Sequence, residues 1–315
     1  MQAGGPYAEG ECVMIIPTRS ILFVPGDSER KIIKSQDVEA DAIVLDLEDA
    51  VAQGRKAVAR EMIANYLKGG ASKPGTKLWV RINPLSDPES LADLAAVVAG
   101  RPDGILLPKT NGPADVLRLS HYLDALETRE ALPLGGISIL PVVTETAQAP
   151  FSLGSYQNAN LARLFGLTWG AEDLSAALGA STNKEEDGRW SLTYRTVRSL
   201  TLLAAKSCGV QVIETLYDDY RDLEGLRKSC LAARREGFTG RFAIHPDQVV
   251  IINEAFTPNA DDVSFAERVI AAFAAEPDAG AIGIGGKMFD RPHLEQAKKV
   301  LAMRDAFVPD RDRHS

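Results

Sequence analysis

The chain has 315 residues, 45% hydrophobic and 25% charged, proportions that exclude disorder, collagen and fibrous repeats. Its 35 Lys+Arg against 43 Asp+Glu leave a net charge of −8, which argues against a general nucleic-acid or anionic-membrane binder, so an anionic ligand needs a local basic patch. Three cysteines, Cys12, Cys208 and Cys230, are too few and too scattered for a disulfide framework or a thiolate zinc site, and they point to a reducing compartment, the cytoplasm by default.

Residues 1–18 are Gly-containing and weakly patterned and read as a loose arm. They lack a basic leader region, and no apolar run approaches the roughly 18 residues of a membrane span. Short β-branched or Leu-rich runs then alternate with amphipathic stretches, the pattern of βα units around a parallel sheet. Strands are predicted near 20–24, 42–46, 78–82, 104–107, 137–143, 162–167, 210–213 and 241–244. Helices are predicted near 28–39, 56–68, 89–99, 113–128, 194–207 and 219–236, with shorter ones near 147–159 and 247–255. Such strands are continuous apolar runs, as burial on both faces requires.

Eight strands with crossover helices close most simply into a (β/α)₈ TIM barrel over residues 19–257; a doubly wound open sheet is the alternative. Residues 261–275 and 293–306 then read as helices joined by a flexible, Gly-rich 278–286. Residues 258–315 are thus expected to form a C-terminal helical extension outside the barrel.

Barrel enzymes build their sites at the C-terminal ends of the strands. Here those ends carry Asp27, the Asp46-Leu47-Glu48-Asp49 run, Arg81 with Asn83, Lys109, Glu145, Glu172-Asp173 and His245. Glu145 and Asp173 lie about one βα unit apart, so both carboxylates are expected at the mouth on neighbouring strand ends. Carboxylate donors without His or Cys suit a hard cation, Mg²⁺ or Mn²⁺, completed by water and substrate. Taken singly, each acid also reads as a helix N-terminal residue.

Arg81 closes a β-branched strand, where its planar fork can grip a carboxylate or polarise a carbonyl. A salt bridge to the Asp46–Asp49 acids is compatible with that role, because those acids would orient it. Lys34 and Lys109 are the nearest candidates for a basic patch. His245, before Pro246, reads as a rim packing or hydrogen-bonding residue rather than a base. The chain has no Gly-x-Ser-x-Gly elbow, Walker loop or His-Glu-x-x-His motif, and Gly283-Ile284-Gly285-Gly286-Lys287 lacks the strand-to-helix context of a phosphate loop.

Taken in order, Arg19-Ser20-Ile21-Leu22-Phe23-Val24-Pro25-Gly26, Asp46-Leu47-Glu48-Asp49-Ala50-Val51, Val80-Arg81-Ile82-Asn83 and Gly170-Ala171-Glu172-Asp173-Leu174 resemble the citrate lyase beta-subunit-like family of aldolases and lyases. Ala243-Ile244-His245-Pro246-Asp247-Gln248 and Lys287-Met288-Phe289-Asp290-Arg291-Pro292 look like its later motifs, so the resemblance runs from about residue 19 to 306. It implies a (β/α)₈ barrel that uses Mg²⁺ to make or break a carbon–carbon bond between an acyl-CoA and a 2-oxo acid, as malyl-CoA, citramalyl-CoA and citryl-thioester lyases do.

By motif position Glu145 and Asp173 match the family's metal ligands, and Arg81 its substrate-binding arginine. Phe23, Lys34, Ile244 and His245 fall where members contact the acyl-CoA. Asp290 matches an aspartate that reaches a neighbouring subunit's site and there exchanges the proton of the enolate carbon; read locally, it caps the helix that begins before Pro292. The resemblance also implies a homo-oligomer, a trimer.

Three departures stand out. Gly285-Gly286-Lys287-Met288 lacks an aspartate common in the family, Val143-Thr144 replaces Leu-Ile before Glu145, and Ser28 replaces an arginine that contacts CoA in some members. Three other readings share these residues: a thioesterase on the same scaffold, a CoA-independent sugar-acid aldolase, and a subunit that acts only on carrier-bound esters.

Overall fold

A computed structural model describes residues 16–70 and 73–307 of the chain. Among these, contacts divide the molecule into a unit spanning Thr18–Phe256 and a second made mainly of residues 257–307. The expected N-terminal arm lies almost wholly outside the described residues.

The larger unit is a nearly closed barrel of eight parallel strands: β1 (Ser20–Pro25), β2 (Ala42–Asp46), β3 (Lys77–Arg81), β4 (Gly104–Leu107), β5 (Ser138–Pro141), β6 (Gly166–Thr168), β7 (Gln211–Glu214) and β8 (Gly240–Ala243). Continuous ladders run from β5 through β1 and β8 to β6, with β1 pairing both β2 and β8. The last junction, β5 to β6, is made by the isolated parallel bridges Ile139 to Leu164 and Val142 to Thr168. The barrel reading therefore holds over the open sheet. The sixth strand is the main departure within it, because only Gly166–Thr168 pair as a strand although an extended run was expected from residue 162.

Around the strands lie α1 (Glu29–Ser35), α2 (Lys56–Lys68), α3 (Glu89–Val97), α4 (Pro113–Arg129), α5 (Glu172–Leu178), α6 (Leu192–Ser207), α7 (Leu223–Glu236) and α8 (Pro246–Phe256), with a 3₁₀ segment over Ala149–Asn158 after β5. Local chemistry sets their ends. Asp222 caps α7 by accepting from the Gly225 N–H at 2.9 Å, which starts that helix four residues later than the periodicity suggests. Gly237, at φ 113°, closes it in a left-handed conformation that glycine adopts without strain.

Strand alternation divides the apolar residues between two cores. Leu22, Ile43, Leu45, Val80, Ile105 and Ile139 face the helices. Ile21, Val44, Trp79, Leu106, Leu140, Ile213 and Phe242 fill the barrel interior. The largest of these, Trp79, fits because its register partner is Gly104: a Cβ there would lie 2.2 Å from the indole ring. Two residues beyond Ile21, Val44 and Trp79, the same alternation brings Phe23, Asp46 and Arg81 to the mouth.

The second unit contains α9 (Ala260–Ala275), β9 (Ala281–Ile284), β10 (Lys287–Asp290) and α10 (Arg291–Phe307) around its own core of Ala266, Val269, Phe273, Ile282, Leu294 and Ala297. Asn259 and Asp262 form a reciprocal capping box at the start of α9. The expected flexible linker at 278–286 is instead half of an antiparallel hairpin. Its two-residue turn is Gly285-Gly286, at φ 58° and 78°, the positive pair that matches strand twist in tight hairpins. The glycines thus specify a turn, and the segment carries no phosphate-loop geometry.

Candidate active site

The strand ends enclose a cavity of about 240 Å³ lined by, among others, Phe23, Asp46, Arg81, Glu145, Trp169 and Ile244. Of the residues singled out in the sequence, Phe23, Asp46, Arg81, Glu145 and Ile244 meet here. Leu106, Val142, Leu216 and Phe242 make most of the remaining wall apolar.

Arg81 ends β3 opposite Asp46 in the ladder. Its Nε and Nη2 donate to the two Asp46 oxygens at 2.7 and 2.6 Å, and Nη1 lies 2.8 Å from Glu48 Oε2. Asp46 is fixed in turn by the backbone N–H groups of Glu48 and Ala50, at 2.9 and 3.1 Å. The guanidinium also sits over the Phe23 ring, 4.8 Å from its centroid. Burial disfavours the arginine's charge, but the hydrogen bonds and charges of Asp46, Glu48 and Asp49 outweigh it and raise its pKa. Arg81 is therefore salt-bridged to the acid run and at the same time part of the cavity wall.

Glu145 is buried, and Gly170 makes room for it: a Cβ at Gly170 would lie 2.8 Å from Glu145 Oε1. The Thr144 hydroxyl holds that glycine by accepting from its N–H at 3.1 Å and donating to its carbonyl at 3.2 Å. Burial, then the neighbouring charge of Asp173, push the Glu145 carboxyl up to about 8. Asp173 lies in the first turn of α5, with its Oδ1 3.2 Å from the Lys109 ammonium. Glu48, 3% exposed, is pushed up to about 7 by burial despite the opposing pull of Arg81 and Lys109.

Lys109 joins these groups. Its backbone N–H donates to Glu145 Oε2 at 2.6 Å, and its ammonium contacts Glu48 and lies 3.2 Å from Asp173 Oδ1. Burial works against its charge, yet Glu48 and the other acids raise its pKa. Beneath the acid run the Lys56 ammonium is buried and donates to the carbonyls of Leu47 and Glu48 and to Asn83 Oδ1, at 2.7, 2.8 and 2.8 Å. Asn83 is held by Asp93, whose Oδ2 accepts from its side chain at 2.7 Å and from its backbone at 2.9 Å.

Asp173, Lys34 and His245 are not among the residues that line the cavity. Lys34 is exposed on α1. His245 is half-buried at the rim, stacked on Tyr220 at 5.0 Å with Asp247 3.5 Å from its Nδ1, a partner that spacing did not reveal. Asp290 belongs to the second unit, where it ends β10 and pairs with His293. Lys56 and Trp169 were not singled out, whereas Glu48 was named as part of the acid run expected to orient Arg81. Trp169 forms part of the wall, and its indole N–H donates to Glu214 at 2.6 Å. Counting by two along β2 and β3 finds Asp46, whereas the burial of Lys56 has no comparable signal.

A buried carboxylate, a second acid beside it and a fixed guanidinium at the C-terminal mouth of an eight-stranded α/β barrel define a polar site of the barrel-enzyme type. The chain belongs to the HpcH/HpaI aldolase/citrate lyase family, whose model matches residues 19–246. It is 32% identical to the mitochondrial citramalyl-CoA lyase of Rattus norvegicus, over 91% of this chain and 86% of that protein. It is 34% identical to a (3S)-malyl-CoA thioesterase of Cereibacter sphaeroides, over 93% and 96%. Among solved structures it resembles protein CitE from Mycobacterium tuberculosis in complex with magnesium, acetoacetate and coenzyme A, with a TM-score of 0.75, 30% identity, and coverage of 92% of this chain and 98% of that one.

Proposed function

We propose that this chain is a divalent-cation-dependent carbon–carbon lyase. Its substrate on this reading is a 3-hydroxyacyl-CoA such as malyl-CoA, citramalyl-CoA or citryl-CoA, which it divides into an acyl-CoA and a 2-oxo acid, or forms in the reverse direction. The observation that carries the reading is the meeting of Glu145 and the pre-set Arg81 on one cavity wall, with the charge of Asp173 acting on Glu145. The citramalyl-CoA lyase relative and the CitE complex with magnesium and coenzyme A support the same chemistry.

Mg²⁺ fits the donors present, and Mn²⁺ is the natural substitute. Among the described residues no group of three or more His, Cys, Asp or Glu could hold a metal ion. Two carboxylates, Glu145 and Asp173, would need water and substrate to complete a divalent cation's shell. Burial first, and then the charge of Asp173, disfavour an ionised Glu145, and a cation held by the two carboxylates would favour it. Bound there, a divalent cation supplies Lewis acidity that lowers a substrate hydroxyl's pKa.

Arg81 then acts on the thioester side. When the carbon–carbon bond breaks, its electron pair moves onto the thioester as an enolate, and Arg81 stabilises that charge without rearranging, because Asp46 already orients it. The hydroxyl's proton leaves to solvent as the bond breaks, and the enolate carbon takes its proton from the protonated carboxyl of Asp290 of a neighbouring subunit in a homotrimer. Phe23, Lys34, Ile244 and His245 contact the acyl-CoA, with Ser28 leaving the grip one arginine lighter than in some relatives. No helix among the described residues is long and apolar enough to cross a membrane. The free thiols of Cys208 and Cys230 favour a reducing compartment, the cytoplasm on this reading.

The test is to incubate the purified chain with Mg²⁺ and malyl-, citramalyl- and citryl-CoA, following 2-oxo acid and free thiol separately. Oxo acid without thiol supports the lyase and names its acyl group. Thiol alone makes it a thioesterase, the activity named for the Cereibacter relative. Neither product, with EDTA changing nothing, overturns the CoA reading in favour of a sugar-acid aldolase or a carrier-dependent subunit.

A further inference from the structure

Lys109 follows Pro108 just beyond β4 and adopts φ 51°, the left-handed region in which a residue with a side chain is strained. That conformation lets one residue reach both proposed metal ligands. Its main-chain N–H donates to Glu145 Oε2 at 2.6 Å, and its ammonium stands 3.2 Å from Asp173 Oδ1. The same ammonium contacts Glu48 and lies 3.5 Å from Asp49. The other cation of the cluster, Arg81, makes its ion pairs with Asp46, Glu48 and Asp49. Asp173 therefore takes its compensating charge from Lys109.

We propose that Lys109 is a built-in counter-cation for Asp173. Its ammonium neutralises that carboxylate in the metal-free protein and leaves it, remaining on Glu48, when the divalent cation binds. The inference rests on the metal reading of Glu145 and Asp173 and deepens it. An ammonium and a divalent ion on one carboxylate repel each other strongly where part of the solvent is excluded. Binding the metal thus requires breaking the Lys109–Asp173 pair, and the Glu48 contact gives the displaced ammonium a place to stay. On this view Lys109 is a positioning residue that sets metal affinity, and it joins the metal position to the acid run that grips Arg81.

The experiment measures Mn²⁺ binding by electron paramagnetic resonance of the free ion, for the wild type, Lys109→Met and Lys109→Arg, with the fold checked by circular dichroism. Removing the competing charge is expected to tighten Mn²⁺ binding about tenfold or more, the size of effect that partners of metal ligands have. Lys109→Arg keeps the charge and is expected to bind within about threefold of the wild type. Loss of a merely structural residue would weaken binding, so tightening distinguishes the two roles. A Mg²⁺-bound crystal structure of the wild type adds a readout that survives any misfolded variant: Lys109 Nζ should lie beyond roughly 4 Å from Asp173 and still contact Glu48.

Unchanged or weaker Mn²⁺ binding by a folded Lys109→Met, or an ammonium still on Asp173 beside bound Mg²⁺, overturns the counter-cation. Failure of the wild type itself to bind Mn²⁺ overturns the metal reading, and the counter-cation with it.

Discussion

Arg81 and Asp46 face each other across adjacent strands and are joined by two parallel hydrogen bonds of 2.7 and 2.6 Å. The pair forms because both residues extend the inward alternation of their strands by one step beyond Trp79 and Val44. A cation held this way has lost its rotamer freedom before any ligand arrives, which is the condition for stabilising charge that appears only in a transition state.

Replacing Arg81 by Ala is expected to lower kcat by roughly 10²–10³ on whichever thioester the wild type cleaves. Lys in its place should rescue little of this, since an ammonium cannot reproduce the two-pronged grip on Asp46. Steady-state kinetics of both variants check the role, and near-normal turnover by the Ala variant would sink it.

Gly170→Ala places a methyl group 2.7 Å from Glu145 Cγ and 2.8 Å from its Oε1. The carboxylate must shift, so Mg²⁺ affinity should fall about tenfold or more while the circular dichroism spectrum is retained. Calorimetric titration with Mg²⁺ measures it. Unchanged affinity would remove Glu145 from the metal site.

Lys56→Met deletes a buried ammonium that serves the Leu47 and Glu48 carbonyls and Asn83. Each buried acceptor left unpaired costs about 1–3 kcal/mol, so the urea midpoint should drop clearly. A midpoint equal to the wild type's would mean that water replaces the ammonium at no cost.

Glu127, buried in the last turn of α4, accepts from Arg163 Nη1 at 2.8 Å and from the backbone N–H groups of Gly135 and Ile137 at 2.8 and 2.9 Å. Burial disfavours its charge, but Arg163 and these donors outweigh that and hold its pKa below the ordinary carboxylate range. A group depressed in the folded state stabilises it above the unfolded pKa and loses that contribution as pH falls through the folded value. Unfolding free energy should therefore decline between about pH 5 and 3. In Glu127→Gln this decline should be shallower, and equal slopes in denaturation series across that range would refute the assignment.

Much of this architecture is legible in the order of residues. Apolar runs such as Ala42–Asp46 announce strands buried on both faces, and the acids and Arg81 that follow them mark the mouth. What escaped has identifiable causes. The Gly-rich 278–286 reads as a linker by composition, yet Ile282 and Ile284 on one side of Gly285-Gly286, with Phe289 on the other, supply the apolar residues of a hairpin. The seven-residue α5 is too short to show a helical period. Lys109 looks like any rim lysine, because neither its left-handed backbone nor its reach to Glu48 and Asp173 follows from its neighbours in the chain.

The junction between β5 and β6 has a mechanical consequence. It is the one place where the barrel wall is stitched by two separate bridges rather than a ladder, and Glu145 and Asp173 follow its two sides in the chain. The wall should part there first, as a barrel opens along its thinnest stave. The amides of Val143 and Phe165, which cross the seam to the carbonyls of Thr168 and Ile139, should then exchange with solvent sooner than those of β1 and β2. Each such opening pulls the two carboxylates apart, so an ion gripping both would act as a rivet across the seam.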